Sequence, residues 1–154
     1  MNVEASYRKE LQSILDHGIW LNNTRLGNVQ IYDHEKGVLE IVAQKGFRQD
    51  FLDHFREVKA VDHSACGRAL GSAQLIKVDD VQTDQSFVPH RAIAMSANFR
   101  SVVSQPLISD GRVILGVVSL HFSKPRQDWD NLCISPMVNE MIRVLEKVRQ
   151  NYYA

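Results

Sequence analysis

The sequence contains only two cysteines, Cys66 and Cys133, and no excess of charge of either sign. The cysteines lie far apart and form no CxxC pair, so they supply neither a disulfide framework nor a zinc site. Eighteen basic residues balance eighteen acidic ones, which removes the usual electrostatic basis for binding nucleic acid or an anionic membrane. We therefore expect neither nucleic acid nor a membrane among the partners of this protein.

Long apolar runs are absent as well. The longest one, VILGVVSL at 113–120, is far too short to span a bilayer. The opening stretch MNVEASYRKEL has no apolar run behind a basic region and does not read as a secretory signal. A cytoplasmic, reduced setting is the expectation that follows. The 154 residues, 44% of them hydrophobic and 23% charged, are enough for one soluble domain with a real core.

Motifs for binding a metal or a phosphate group are missing too. The six histidines form no HxH or HxxxH pair, although a metal site needs three or four converging ligands. No glycine-rich phosphate loop is present. We predict no metal site, and no pattern in the chain identifies a cofactor. The histidines are His17, His34, His54, His63, His90 and His121.

What the sequence does have is a series of helix and strand patterns, which predicts a single α+β domain over 1–154. The first helix is predicted over 1–20, with Gly18 weakening its last turn. The core follows over 21–124, and a C-terminal helix over 125–154. The apolar stripe of the first helix consists of Leu11, Ile14, Leu15 and Ile19.

Two hairpins dominate the predicted core. In the first, Val29 and Ile31 alternate with polar neighbours as in a half-buried strand, and Gly37 suits the turn before a partner strand at Val38–Ala43. In the second, SVVSQPLI and RVILGVVSLHF are joined by a turn at Asp110-Gly111. The last strand is apolar at nearly every position, which is typical of a central strand covered on both faces.

Shorter elements are predicted between the hairpins. QDFLDHFREV reads as a helix, and SACGRALGS as a short helix with Ser64 as its N-cap and Gly71 as its C-terminal stop. QLIKV reads as a strand, DDVQTDQSFVPHR as an irregular loop and RAIAMSANF as a short helix. The tail reads as a helix in two pieces, the second beginning at Ser135-Pro136. The apolar stripe of that second piece consists of Met137, Met141, Val144, Leu145 and Val148.

Several of these phrases together resemble a GAF domain. Its first two strands are resembled by GNVQIYD and VLEIVAQKGF. Its middle helix, third strand and acidic loop are resembled by SACGRALGSAQLIKVDDVQTD, and its closing hairpin by FRSVVSQPLISDGRVILGVVSLHF. The resemblance covers residues 20–150 and points particularly to GAF modules found beside bacterial sensor histidine kinases. It implies a PAS-related central antiparallel sheet of five or six strands. The terminal helices would pack on one face, and the short helices and the loop would roof a pocket on the other.

The resemblance also implies a function. Members of this family bind cyclic nucleotides, tetrapyrroles, haem or other small effectors, and many act as dimerising or relay modules. We therefore expect a non-catalytic sensory or regulatory module that binds a small-molecule effector or relays a signal through a homodimer. A histidine kinase or another signalling protein would be its partner. The NKFDE-type pattern linked with cyclic-nucleotide binding is not visible in this chain, so that ligand is unsupported.

Polar residues on the predicted strands indicate where a pocket would lie. A buried unpaired polar group costs about 1–3 kcal/mol, so these side chains either face solvent, pair with each other or with ordered water, or line a cavity. The family fold favours the cavity for some of them. Asp79 and Asp80 would more simply bond the backbone amides of their own loop. The candidate pocket residues are Asn28, Gln30, Cys66, Arg68, Asp80, His90, Met95, Ser104, Ser119 and His121.

Cys66 allows three interpretations. Free methionine sulfoxide reductases share the fold and carry a cysteine before glycine in a similar phrase, but such a nucleophile needs a resolving cysteine. The roof stretch FVPHRAIAMSANF has none, and Cys133 belongs to the tail, on the other face of the family fold. Bilin-binding relatives commonly carry histidine after the anchoring cysteine, where this chain has Gly67. We expect a small buried packing residue and no enzyme, with the redox enzyme as the alternative.

The terminal helices are the candidate dimer interface, because in the family they commonly form a bundle with the same helices of a second chain. Part of their apolar stripe must cover the sheet, and the rest would meet the partner. A further hypothesis is a purely structural dimerisation domain whose pocket is closed by its own Gln30, Met95 and Phe99. The interface candidates are Leu11, Ile14, Leu15, Met137, Met141, Val144 and Val148.

Overall fold

A computed structural model describes residues 3–110 and 112–153. Helices and strands follow one another along this part of the chain much as their patterns predict. The elements are α1 (Val3–Leu21), β1 (Leu26–Asp33), β2 (Val38–Lys45), α2 (Gln49–His54), α3 (Ala65–Ser72), β3 (Ile76–Val78), the 3₁₀ helix η1 (Gln85–His90), α4 (Arg91–Ala97), β4 (Ser101–Ile108), β5 (Ile114–Phe122) and α5 (Ser135–Tyr153).

The five strands form one sheet in the order β2-β1-β5-β4-β3, and every neighbouring pair is antiparallel. The predicted α+β fold with a central antiparallel sheet is confirmed. β5 lies in the middle and is buried almost along its whole length, as its continuous apolar sequence predicts. Gly37 takes a positive φ of 70° in the turn between β1 and β2, which confirms the expected first hairpin turn.

Helices cover the sheet on both faces. On one face α1 and α5 pack on the sheet, and their core includes Leu11, Leu15, Val118, Leu120 and Met141. On the other face α2, α3, η1 and α4 form a roof over a second apolar core. The arrangement implied by the family resemblance, with helices on both faces of the sheet, is therefore present. Because successive side chains of a strand point to opposite faces, β5 supplies residues to both cores.

The second hairpin contains an irregularity near its turn. The pairing of β4 with β5 shifts register between Leu107 and Ile108, where Leu107 lies opposite Gly116. Gly116 also lies opposite Ile31 of β1, and a side chain there would overlap the backbone carbonyl oxygen of Gln30. Glycine is needed at this position because the two strands approach so closely. Of the predicted Asp110-Gly111 turn, Asp110 lies in a turn and Gly111 lies outside the described residues.

α1 ends at Leu21, next to its predicted end at residue 20. Gly18 lies inside the helix, where Met137 leaves no room for a side chain. The predicted end of α2 was wrong because of a tertiary contact. α2 ends at His54, and Val58 leaves the helical path to bond Leu39 on β2.

The ends of α3 and of the roof loop also differ from the prediction. α3 runs through Gly71 to Ser72 and ends on Ala73, whose φ is 55°, so alanine takes the left-handed position usually given to glycine. The loop after β3 contains the 3₁₀ helix η1, which Asp84 caps by accepting a hydrogen bond from the backbone N–H of Phe87.

The tail is one helix, α5, and the predicted first piece is absent. Residues 127–134 are irregular because side-chain contacts hold them against the sheet. The Trp129 indole donates to Asp79 at 2.9 Å, packs edge-on against Phe122 and carries the Arg126 guanidinium over its ring. Cys133 therefore lies in this irregular segment rather than in the tail helix, and it is exposed.

Asn22 joins the end of α1 to this segment, and its loss is expected to be costly. Its Oδ1 accepts from the Cys133 backbone N–H at 2.7 Å, and its Nδ2 donates to the carbonyls of Cys133 and Gly18 at 2.9 and 2.8 Å. We expect Asn22→Ala to lower the free energy of unfolding by about 2 kcal/mol, because buried backbone groups lose their partners. Urea unfolding measures this, with the exposed Asn131→Ala as control. An equal effect of both variants would contradict the proposed bridge.

Candidate functional site

A row of buried polar side chains crosses the middle of the sheet on the roof side. Asn28 on β1 lies directly opposite Ser119 on β5, and Ser119 lies directly opposite Ser104 on β4. The three side chains are at most 3% exposed. The two serine hydroxyls bond each other at 2.6 Å, so that one hydroxyl proton is used between them and the other remains free to donate.

His121 extends this row along β5 on the same face. It is 5% exposed and sits edge-on against Phe47 and Phe99, with ring centres 4.9 and 4.6 Å apart. Burial lowers the pKa of His121 to about 3, because no charge near it offsets the lost hydration of the imidazolium. The ring is therefore neutral at physiological pH, and its Nδ1 has no hydrogen-bond partner.

The roof encloses a cavity over the polar row. Aromatic side chains from α2, η1 and the end of α4 form most of its wall, and the first turn of α3 closes it. The cavity volume is about 20 Å³, enough for one ordered water molecule. The lining residues are Asn28, Phe51, Phe55, Ser64, Ala65, Cys66, Phe87, Phe99, Val102, Ser104, Ser119 and His121.

Of the aromatic wall residues, only Phe99 was predicted to lie at the pocket, and Phe51, Phe55 and Phe87 were not. The spacing of four between Phe51 and Phe55 places both on one side of α2 and was a usable signal. Phe87 gave no such signal, because it belongs to η1, in a stretch without periodicity.

Polar atoms around this cavity are left without partners. They include Asn28 Oδ1, His121 Nδ1 and both polar atoms of the Gln30 amide. Gln30 is fully buried beside the cavity, against Cys66. Nearly all buried polar groups in proteins are satisfied by protein or by ordered water. These unpartnered atoms are concentrated in one place, which makes it the candidate site.

Cys66 lies in the first turn of α3 and faces the cavity. Its Sγ is 3.3 Å from Ser64 Oγ, and the predicted N-cap role of Ser64 is confirmed by the hydrogen bond it accepts from Gly67 N–H. Burial raises the pKa of Cys66 to about 11, although its hydrogen bond with Ser64 opposes the rise. The Gln30 amide also opposes it, without reaching ordinary hydrogen-bonding geometry. The side chain is thus a neutral thiol at physiological pH.

The two cysteines are expected to differ strongly in reactivity. At pH 8 iodoacetamide should alkylate the exposed Cys133 and leave Cys66 largely unmodified, because the attacking species is the thiolate and Cys66 is both protonated and covered. Intact mass should show one label on the native protein and two after denaturation in urea. Two labels acquired at similar rates by the native protein would contradict this description of Cys66.

His90 secures the roof without lining the cavity. Its Nε2 donates to the Asp62 backbone carbonyl at 2.7 Å, so its Nδ1 is the acceptor for His54 Nε2 at 2.9 Å. Asp62 in turn accepts from Ser64 Oγ at 2.5 Å. This chain of hydrogen bonds ties α2, η1 and the start of α3 together. His90, which was predicted to line the pocket, therefore lies in the roof that covers it.

Arg68 and Asp80 were predicted for the pocket, but each is part of an ion pair that holds the roof loop. Arg68 bonds Asp84 at 3.2 Å, and Arg100 bonds Asp80 at 2.7 Å. The hydrogen bond from Arg100 lowers the pKa of Asp80, which also accepts from the backbone N–H of Gln82. Neither side chain lines the cavity.

Met95 also lies outside the cavity. It is 63% exposed on the outer face of α4, whereas its neighbour Ala94 is fully buried. The inward face of this short helix is therefore taken by Ala94, and Met95 cannot fill the pocket. Of the three residues suggested to close it, Gln30 and Phe99 are buried.

Most candidates for a dimer interface are buried in this chain's own core. Leu11, Leu15, Met137, Met141 and Val144 pack between the helices and the sheet and leave almost no surface for a partner. The apolar stripes of both helices are therefore covered by the sheet of the same chain. The half-buried apolar side chains of the two helices retain some surface, and these are Ile14, Val138, Ile142 and Val148.

A second, larger concavity lies on the helical face, where α1 and α5 leave the ends of β1, β2 and β5 uncovered. Its volume is about 1090 Å³. Its rim carries charged side chains of both signs, including Arg8, Asp33, Glu35 and Arg149. Unlike the roof cavity it contains no buried polar atom without a partner among the described residues, so we place the candidate site under the roof.

Two further features bear on the site. Within 3–110 and 112–153, no three side chains of His, Cys, Asp or Glu are grouped so as to hold a metal ion. In the same ranges, no helix is both long and apolar enough to cross a membrane.

Comparisons with known proteins agree with this architecture. The family model described as GAF domain matches residues 4–132. No curated protein matches the chain. The solved GAF domain of a phosphoenolpyruvate-protein phosphotransferase from Coxiella burnetii has a TM-score of 0.79 and 12% identity, covering 96% of this chain and 87% of that chain.

Two other solved structures are similar over nearly their whole length. A type II free methionine-R-sulfoxide reductase from Thermoplasma acidophilum has a TM-score of 0.75 and 16% identity, with 95% and 96% of the two chains covered. A domain described as part of a two-component sensor histidine kinase protein of Sinorhizobium meliloti 1021 has a TM-score of 0.69 and 13% identity, with 94% and 92% covered. At these identities the likeness concerns the fold alone. With a family model that matches most of its length and the corresponding sheet and helical layers in place, this chain belongs to the GAF domain family.

Proposed function

We propose that this protein is a non-catalytic sensory or regulatory module that binds a small effector in the cavity under its roof. The observation that carries the proposal is the polar row on an otherwise apolar sheet, with Asn28, Gln30 and His121 keeping unpartnered buried atoms. Each such atom costs about 1–3 kcal/mol, and a core of apolar side chains would avoid that cost. A ligand that hydrogen-bonds these atoms would recover it.

The strand β5 offers a route from the cavity to the helical layer. Ser119 and His121 face the cavity, while Val118 and Leu120 on the same strand pack under α1 and α5. A ligand that shifts or stiffens β5 would therefore alter the surface on which the terminal helices rest. Regulation then requires that the ligand bind the two arrangements with different affinities.

The terminal helices would pass the signal to a partner. Among the similar structures are domains from a sensor histidine kinase protein and from phosphotransferases, and they support a signalling protein as that partner. A homodimer through the half-buried residues Ile14, Val138, Ile142 and Val148 is part of the proposal. The cytoplasmic location stays a prediction from the sequence.

Native mass spectrometry of the freshly purified protein tests this function directly. We expect a mass excess that corresponds to a small molecule and that disappears on denaturation, together with the mass of a dimer. Where the ligand is lost during purification, a thermal-shift screen of small effectors should raise Tm for at least one compound. A protein that carries no ligand and responds to none would instead favour the purely structural dimerisation domain.

A redox enzyme that uses Cys66 is the second candidate, because two of the similar structures are free methionine-R-sulfoxide reductases and because Cys66 lines the cavity. Reducing a sulfoxide with thiols oxidises two of them to a disulfide, so a second thiol must reach the first. Cys133 is bonded through its backbone to Asn22 at the end of α1, away from the roof. The raised pKa of Cys66 also weakens it as a nucleophile.

Incubation with methionine sulfoxide distinguishes the two candidates. For a non-catalytic module we expect no methionine and no Cys66–Cys133 disulfide in a peptide map. With dithiothreitol supplied as the external reductant, turnover that is abolished by Cys66→Ser would instead establish the redox enzyme, whether or not Cys133→Ser retains it.

A further inference from the structure

We propose that the cavity selects an uncharged ligand that presents a hydrogen-bond donor beside an acceptor, such as a carboxamide or the amide edge of a heterocycle, and that it rejects carboxylate and phosphate anions. This inference rests on the proposed function and adds to it the chemical class of the ligand. It follows from three features of the site, which concern its charge, its hydrogen-bonding groups and its shape.

The cavity wall carries no formal charge. None of its twelve lining residues is Lys, Arg, Asp or Glu. The only titratable members are His121, kept neutral by the burial that lowers its pKa, and Cys66, kept protonated by the burial that raises its pKa. An anion moved from water into such a site loses its hydration and meets no cation that compensates the loss.

The cations closest to the roof are already engaged. Arg68 is paired with Asp84 through its two terminal nitrogens, while its Nε is buried without a partner. Arg100 is paired with Asp80. Arg91 donates to the backbone carbonyls of Val81 and Asp84 at 3.0 and 2.9 Å. If one of these guanidinium groups bound an anionic ligand instead, the roof loop would lose the ion pair or hydrogen bonds that hold it in place. The ion pairs therefore hold the roof and do not serve as ligand contacts.

The hydrogen-bonding groups that remain are of both kinds. Asn28 Oδ1 has no partner and requires a donor from the ligand. Of the bonded hydroxyls of Ser104 and Ser119, one proton is free to donate and requires an acceptor. The neutral ring of His121 adds one more unpartnered atom, Nδ1, beside them. A ligand with adjacent donor and acceptor atoms satisfies this set, whereas a carboxylate offers acceptors only.

The shape of the cavity also favours an uncharged ligand with a donor beside an acceptor. Four phenylalanines, Phe51, Phe55, Phe87 and Phe99, surround the polar row, so the site has a polar floor and apolar walls. Small or flat molecules that are polar along one edge fit such a site. The cavity of about 20 Å³ holds one water molecule, so even the smallest members of the class enter only if the roof moves, by a displacement of α3 or η1.

Matched pairs of small molecules test the charge selectivity. Formamide and acetamide are nearly equal in shape to formate and acetate but are uncharged. We expect either amide to shift the side-chain NMR signals of Asn28 and the backbone signals of Ser104 and Ser119 in labelled protein. The corresponding acid at the same concentration and ionic strength should shift them at least tenfold less. Acids that shift them equally or more strongly would overturn the inference.

Variants connect the effect to the polar row. Ser104→Ala should weaken amide binding about tenfold, the consequence of losing one hydrogen bond. Ser101→Ala is the matched control, because Ser101 is equally buried on the same strand but bonds the Lys124 carbonyl. Ser101→Ala should leave the binding unchanged. An equal loss in both variants would show that strand β4 was perturbed generally and would overturn the assignment to the row.

The failure of this inference is distinguishable from failure of the proposed function. If native mass spectrometry finds a bound anion, the class is wrong although the effector-binding function stands. If no small molecule of either class binds and a crystal structure shows a single ordered water on Asn28 and His121, both the ligand class and the effector-binding function are wrong. Amide shifts without acid shifts support both.

Discussion

Replacing Gly116 with alanine is expected to lower the free energy of unfolding by about 3 kcal/mol. The added methyl group would overlap the carbonyl oxygen of Gln30 and lie 3.2 Å from its carbonyl carbon. Both are backbone atoms in the central strand pair and cannot swing aside as the end of a side chain can. β1 would have to separate from β5, which would also disturb the polar row at Asn28 and Ser119. Urea unfolding followed by circular dichroism measures the change.

Gly71→Ala is the matched control for this experiment. Its nearest neighbour would be the Cβ of Ala60 at 3.3 Å, a contact that small shifts relieve. Alanine is also favoured over glycine in the interior of a helix by about 1 kcal/mol, so we expect a change within that range. An unfolding midpoint of Gly116→Ala equal to that of the parent would contradict the close approach of β1 and β5. Insoluble Gly116→Ala beside soluble Gly71→Ala would agree with it.

Acidification is the second large effect, and His121 is its expected cause. The pKa of His121 is about 3 in the folded protein and about 6.5 in an unfolded chain. Between these values the unfolded state binds one more proton, so stability is present above pH 6.5 and is lost as the pH falls. From pH 7 to pH 4.5 the expected loss from this group is about 2.5 kcal/mol. The phenylalanines around the ring provide no charge that would reduce it.

The comparison of pH slopes isolates this contribution. His121→Phe removes the titrating group, and the phenyl ring can use part of the cavity beside it. We expect the stability of this variant to fall less steeply between pH 7 and pH 4.5 than that of the parent, while the remaining titratable groups contribute equally to both. His17→Phe, a change at an exposed histidine, serves as control. Parallel slopes for the parent and His121→Phe would show that His121 is solvated or charged in the folded state.

The strands could be predicted well because their patterns are local. The alternation around Val29, the turn residue Gly37 and the continuous apolar run of β5 each depend on near neighbours in sequence. The N-cap Ser64 belongs to the same class, since it bonds a backbone group three residues away. The wrong helix ends have the opposite origin. α2 stops at His54 because Val58 pairs with Leu39 on β2, a separate element of the chain.

The polar row shows where prediction of the site ends. Asn28, Ser104 and Ser119 were each recognisable as polar residues in apolar strands. Their alignment in one row depends on the register of three strands, which no local pattern expresses. The same limit explains Arg68 and Asp80, whose partners on other elements could not be read from their neighbours.

Taken alone, the sequence determined the α+β class, the hairpins and the family resemblance, because periodicity and turn chemistry act over a few residues. It also singled out Cys66 without deciding its role. The tertiary structure decided that Cys66 is a neutral, buried thiol and that the apolar stripes of the helices pack in the chain's own core. It also decided that the polar row lies under a cavity enclosed by the roof. Those properties depend on burial and electrostatic environment, and both arise only when distant segments pack together.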